Sequence, residues 1–179
     1  MLALDAAGVR GLRFNLYRGG SDTLEQLEGL GRRVAALAGW HVELYVDARH
    51  LPDLAPRLTG LEQLCVADHL GLSRAGLPPL LGLVERGAHV KASGFGRGDL
   101  DVPAVLRAIG DANPHALMFG TDLPSIRSRR PFRDTDIDLL REVLDEERSR
   151  RALSGNALAF YLRDPRPVHE SSDAKPNWE

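Results

Sequence analysis

The sequence is poor in several things, and each shortage excludes a class of protein. It has one cysteine, Cys65, which rules out an internal disulfide and a metal site built from several thiolates. Cys65 lies in an apolar run, where a buried packing role outweighs a catalytic one. Aromatic residues make up only 6% of the chain. No apolar run approaches the ~18 residues of a membrane-spanning helix, and the N-terminus lacks the pattern of a secretory signal. Neither charge sign dominates: the net charge is −2, which argues against a non-specific nucleic-acid or anionic-membrane binder. Together these absences lead us to expect a cytoplasmic protein with no nucleic-acid and no membrane partner.

Lysine is also scarce, occurring only as Lys91 and Lys175, so the basic side is almost wholly arginine. Arginine suits bidentate recognition of carboxylates. A chain rich in Ala, Leu, Gly and Arg also reflects a GC-rich genome, and that accounts better for most of the surface arginines. What remains is ordinary globular composition: 179 residues, 43% hydrophobic and 27% charged, enough for one domain with a sizeable core.

Strand-like and helix-like patterns alternate along the chain. Strands are predicted at residues 9–16, 40–46, 62–68, 89–93 and 116–120. Helical spacing predicts a helix through Leu24, Leu27, Leu30, Val34 and Leu37, capped by Ser21 or Asp22. Further helices are expected at 51–58, 77–86, 102–112, 136–146 and 147–162, the third of these started by Asp101 with Pro103 in its first turn. Repeated βα units of short, largely apolar strands predict a parallel sheet covered on both faces. Residues 2–7 read as the last turns of a helix ending at Gly8, so the chain begins inside a βα unit. A complete eight-unit barrel takes roughly 250 residues. The expected fold class is therefore α/β, a partial (β/α)8 TIM barrel of about strands four to eight, occupying residues 1–163. The polar, proline-rich segment 164–179 is expected to be a disordered tail.

The strand ends carry the residues with chemical capacity. The run Ala116-Leu117-Met118-Phe119-Gly120-Thr121-Asp122-Leu123-Pro124 delivers Asp122 to the end of a buried strand. A carboxylate there is costly unless solvated, paired or used. The other strands end with Arg13 and Asn15 (Arg18 follows in the loop), Tyr45 and Asp47, Asp68-His69-Leu70-Gly71, and Ser93-Gly94-Phe95-Gly96-Arg97. Each has a plainer reading: Arg13 paired with a structural carboxylate, Tyr45 in the core, Asp68 or His69 capping a turn. Their conjunction at the C-terminal ends of parallel strands points to catalysis. Arg13, Arg18 and Arg97 could hold carboxylates, His69 and Tyr45 could polarise a carbonyl, and Asp122 could take a proton from water. Arg127, Arg129 and Arg130 read as a solvated loop.

Four stretches in this order carry a family resemblance: Gly8-Val9-Arg10-Gly11-Leu12-Arg13-Phe14-Asn15, Trp40-His41-Val42-Glu43-Leu44-Tyr45, Asp68-His69-Leu70-Gly71 and Phe119-Gly120-Thr121-Asp122-Leu123-Pro124. They resemble the later strands of the amidohydrolase superfamily, amidohydrolase 2 branch, and within it the 2-pyrone-4,6-dicarboxylate lactonase-like hydrolases. Asn156-Ala157-Leu158-Ala159-Phe160-Tyr161 resembles the helix that closes those barrels. The resemblance implies a hydrolase of aromatic-compound catabolism that opens a carboxylated lactone. It casts Asp122 as general base and His69 as the group polarising the carbonyl. Arg13, Arg18, Tyr45 and, more loosely, Arg97 become contacts to a small anionic dicarboxylate substrate. Two departures stand out. Leu123 and Ser125 replace the Trp and His often found at the pocket rim, and the His-x-His of the first barrel strand has no counterpart.

Many members of the wider family bind one divalent metal through that His pair, a strand-five His and the strand-eight Asp. Here the only histidine on the equivalent strand is His41, four residues before the strand end, which at ~3.3 Å per residue is more than about 10 Å from the site level. Tyr45 stands at the site end. We therefore expect no metal and no cofactor. The alternative is a metal-dependent amidohydrolase or decarboxylase holding an ion such as Zn. An inactive truncated fragment is the other alternative. An open barrel exposes two strand edges, so self-association through them is expected.

Overall fold

Residues 1–17, 24–126 and 128–162 are described by the computed structural model. Ser21, Asp22, Arg18, Arg127 and the 164–179 segment lie outside them. The elements run α1 (Leu2–Ala6), β1 (Gly11–Asn15), α2 (Leu24–Ala38), β2 (His41–Tyr45), α3 (Leu51–Leu58), β3 (Cys65–Ala67), α4 (Leu77–Glu85), β4 (His89–Ala92), α5 (Val102–Ala112), β5 (Leu117–Phe119), α6 (Thr135–Val143), α7 (Glu146–Arg150) and α8 (Asn156–Tyr161). The five strands form one parallel sheet in the order of the chain.

Proline and capping chemistry sets the helix starts. The Asp101 carboxylate accepts from the Ala104 N–H, with Pro103 in the first turn of α5, where no N–H is needed. Asp145 caps α7 by accepting from the Arg148 N–H. The single long final helix expected over 147–162 is instead α7, a π-helical stretch (Arg151–Gly155) and α8 in succession. The third strand is shorter than expected because a 3-10 turn (Glu62–Leu64) precedes it. On α2 the buried stripe is Leu27 and Val34, while Leu30 and Leu37 are exposed on its flank. At 100° per residue those two lie off the axis that meets the sheet.

Alternation along the strands sorts residues onto two faces. Val42, Leu44, Cys65, Ala67, Val90, Ala92 and Leu117 enter the main core beneath the helices. Burial pushes the Cys65 thiol up to about 12, so it is a packing residue rather than a nucleophile. Val66 and Met118 point to the other face, where Phe160 of α8 packs on them. That helix crosses the N-terminal ends of the strands. The Asn156 amide donates to the Leu117 and Pro114 carbonyls at 2.8 and 3.1 Å, and Phe160 meets the His41 and His89 rings at 5.3 and 4.4 Å. The His41 ring covers Gly11 so closely that a Cβ there would lie 2.2 Å from it. One end of the inner face is thus closed by α8, and the other end opens where the strand ends gather.

Candidate active site

On the inner face, Arg13, Glu43, Asp68 and Lys91 form one charged cluster. Parallel register places Arg13 opposite Glu43. Arg13 donates to Asp68 Oδ2 from Nε (2.9 Å) and Nη2 (2.7 Å), and its Nε lies 3.0 Å from Glu43 Oε1. Lys91 Nζ donates to Glu43 Oε2 at 2.5 Å and lies 3.6 Å from Asp68 Oδ1. Burial works against both cations, yet the hydrogen bonds and charges of Asp68 and Glu43 outweigh it and leave Arg13 and Lys91 with raised pKa values. The Arg13 guanidinium also lies 5.1 Å from the centre of the Tyr45 ring.

Above this cluster sit His69 and Asp122. His69 shares a 2.9 Å hydrogen bond between Nδ1 and Ser93 Oγ, and its Nε2 is 3.7 Å from Asp122 Oδ1. Burial, aided by the charges of Arg97, Arg13 and Lys91 and opposed by Asp122, pushes the His69 imidazole down to about 4. The ring is neutral at pH 7. Arg97 Nε donates to Asp122 Oδ2 at 2.7 Å, and its Nη2 donates to the Ile126 carbonyl at 3.2 Å. The 3-10 turn His69–Gly71 begins with φ values of 51° and 55° at His69 and Leu70, and Asp122 has φ 57°. These left-handed conformations are costly for non-glycine residues and persist only where surrounding contacts impose them. Gly94 (φ 61°) is needed for space, since a Cβ there would lie 2.8 Å from His69 Nδ1 and 2.9 Å from Arg97 Cδ.

Two cavities flank these residues. The inner one, about 320 Å³, is bounded by the charged cluster, His69, Asp122 and Tyr161. The outer one, about 340 Å³, is bounded by Tyr17, Tyr45, Asp47, Arg49, Arg97 and Arg129 among others. Asp47 accepts from Ser73 Oγ at 2.5 Å and from Arg49 at 2.7 Å. Those partners overcome its burial and hold it at about 2.

Of the residues singled out from sequence, His69, Asp122 and Arg97 meet in one constellation, with Tyr45 at 5.5 Å ring-to-ring from His69. Arg13 reaches the site through Asp68 and Tyr45. Arg18 lies outside the described residues. Asp68 stands at the head of the His69–Gly71 turn but its side chain caps nothing there, being drawn to Arg13 and Lys91. Arg130 is a correction. It clamps the buried Asp136 through two bonds of 2.7 and 2.9 Å, so it is a structural tie between loop and α6 rather than a solvated loop residue. Sequence reasoning misses Glu43 and Lys91. Each lies mid-strand, one alternation before Tyr45 and Ser93 respectively, and that period of two is their only signal.

Among the described residues, no group of three or more His, Cys, Asp and Glu side chains is placed to hold a metal ion. His41 packs on Phe160 and Tyr161 at the closed end, and Asp122 has one imidazole near it. The donors present do not fit a three-histidine, one-carboxylate set. No helix among the described residues is long and apolar enough to cross a membrane.

A family model described as Amidohydrolase matches residues 2–163. A 70-residue stretch is 41% identical to a 2-pyrone-4,6-dicarboxylate hydrolase of Comamonas testosteroni, covering 38% of this chain and 23% of that protein. An Agrobacterium tumefaciens protein solved in its apo form superposes with a TM-score of 0.74 at 29% identity, over 92% of this chain and 65% of that one. A Pseudomonas putida protein assigned as a 2-pyrone-4,6-dicarboxylic acid hydrolase superposes at 0.70 with 27% identity, over 89% of this chain and 66% of that one. The chain thus spans just under two thirds of either solved relative. With its single parallel sheet, its site at the C-terminal strand ends and a family match over nearly its whole length, the chain belongs to the amidohydrolase family and is part of a TIM barrel.

Proposed function

We propose that this site opens a carboxylated lactone of the pyrone-dicarboxylate kind by attack of water, without a metal. The observation that carries the reading is the pairing of a neutral imidazole with a carboxylate 3.7 Å away at the strand ends. In the tautomer in which the Ser93 hydroxyl donates to Nδ1, the imidazole proton sits on Nε2. There it can donate to the lactone carbonyl oxygen as negative charge develops. Asp122 takes a proton from the attacking water, whose oxygen bonds to the carbonyl carbon. The ring C–O bond then breaks, and the proton held by Asp122 passes to the departing ring oxygen, so one water is consumed and an acid and a hydroxyl are formed. Arg13 and Arg97, the latter in the wall of the outer cavity, supply charge-assisted bonds to the substrate carboxylates, and Tyr45 orients the ring. The sequence match to a pyrone-dicarboxylate hydrolase supports this choice of substrate class.

The test is loss of lactone absorbance on incubation with 2-pyrone-4,6-dicarboxylate. Asp122→Asn is expected to slow turnover by about 10²–10⁴-fold. A rate untouched by that substitution removes Asp122 from proton transfer. Stoichiometric Zn lost on Asp122→Asn would replace this mechanism with a metal-dependent one.

A further inference from the structure

The floor of the inner cavity holds more carboxylate than one arginine can balance. Arg13 takes Asp68 through two nitrogens and lies 3.0 Å from Glu43. Two carboxylates on one guanidinium leave a net charge of −1, and such a cluster repels an incoming anion. The Arg13 side chain is still 48% exposed, so it has an open face that could be used only if that surplus charge were removed. Lys91 stands on the far side of both carboxylates, on the oxygens that Arg13 does not occupy: Glu43 Oε2 at 2.5 Å and Asp68 Oδ1 at 3.6 Å. Glu43 and Asp68 are 14% and 2% exposed in their side chains, so water does little to screen them.

We infer that Lys91 is a positioning residue for carboxylate recognition: it brings the four-residue cluster to zero net charge and keeps the open face of Arg13 attractive to a substrate carboxylate. This rests on the assignment of Arg13 as a carboxylate contact in the proposed function. Lys91 itself need not touch the substrate. A lysine that merely filled space would be replaceable by methionine, and a lysine that balanced charge would not.

The experiment is calorimetric titration of the chain with citrate, a non-hydrolysable carboxylate, with thermal unfolding of each variant recorded alongside. Arg13→Ala should abolish or strongly weaken binding. Lys91→Met should weaken it by about tenfold or more, because one uncompensated buried carboxylate then faces the ligand. The double variant Lys91→Met with Glu43→Gln removes one charge of each sign and should restore binding to within about threefold. Wild-type affinity in Lys91→Met, or no recovery in the double variant, overturns the inference. Should Lys91→Met not fold, Glu43→Gln alone decides the sign: removing a carboxylate while keeping Lys91 must tighten citrate, and weaker binding overturns the inference. If Arg13→Ala binds citrate like the unsubstituted chain, or that chain takes up none, the assignment of Arg13 fails, a result distinct from failure at Lys91 alone.

Discussion

The two faces of the sheet are built from alternate residues of the same strands, yet they have almost nothing chemical in common. On β2, Val42 and Leu44 enter the helix-covered core while His41, Glu43 and Tyr45 point inward. On β4, Val90 and Ala92 go outward, and Lys91 faces the cavity. One face is apolar along its whole length and carries the larger core, while the other, the inner face, keeps only the small Val66, Met118 and Phe160 cluster at its closed end. The other carries two cations and two anions that gain little net stability from each other, because desolvation cancels much of their attraction. The difference teaches that charge is gathered on the inner face, where the proposed chemistry would take place, and that most of the apolar burial that stabilises the fold lies on the outer face.

The sharpest way to break that division is in the core. Leu44 is fully buried, and Leu44→Ala should cost about 2–5 kcal/mol in chemical denaturation, with citrate affinity of the folded fraction unchanged. A matching loss of affinity would show the faces to be coupled. Next in size is the pH response of the inner face. His69 has its pKa lowered from the 6.5 of an exposed imidazole to about 4. The unfolded chain therefore binds a proton at His69 between these values while the folded chain does not. Stability is fully present above about pH 6.5 and is lost as pH falls toward 4, by about 3 kcal/mol. His69→Gln should flatten this acid limb in denaturation curves taken across that range; an unchanged limb would assign it to other groups.

How far each face is legible in the sequence follows the same division. The outer face is readable because alternating apolar residues, bounded by glycine and by Asp101 and Pro103, suit a covered strand or helix and little else. Accordingly α3 and α5 fall at 51–58 and 102–112 as expected. The inner face is readable only at the strand ends, where Asp122, His69 and Arg97 break the apolar pattern. Glu43 and Lys91 interrupt it just as much. Their meaning depends on which residue of the neighbouring strand lies alongside, and local propensity does not fix that register. The left-handed backbone at His69, Leu70 and Asp122 is likewise settled by tertiary contacts: Asp and His tolerate it better than most residues, but Leu70 has no local preference for it.

Two smaller effects sharpen the contrast. Gly94→Ala puts a methyl group against both His69 and Arg97 at a positive φ, and should cost about 1–3 kcal/mol of stability. It should also displace the His69–Ser93 bond, visible as an upward shift of the His69 titration in NMR spectra. On the outer layer, Asp101→Ala removes the α5 cap and should cost about 1 kcal/mol in thermal unfolding while leaving that titration in place.

The order of the strands has a kinetic consequence. Among the described residues each strand pairs with its neighbours in the chain, so the sheet can assemble one βα unit at a time, each pairing closing a single helical crossover. A slip of one residue at β2 would exchange Glu43 for Leu44 on the cavity wall and send the glutamate into the helix-covered core. The outward leucine and the inward glutamate therefore both penalise that slip, one by exposing an apolar side chain and the other by burying a charge.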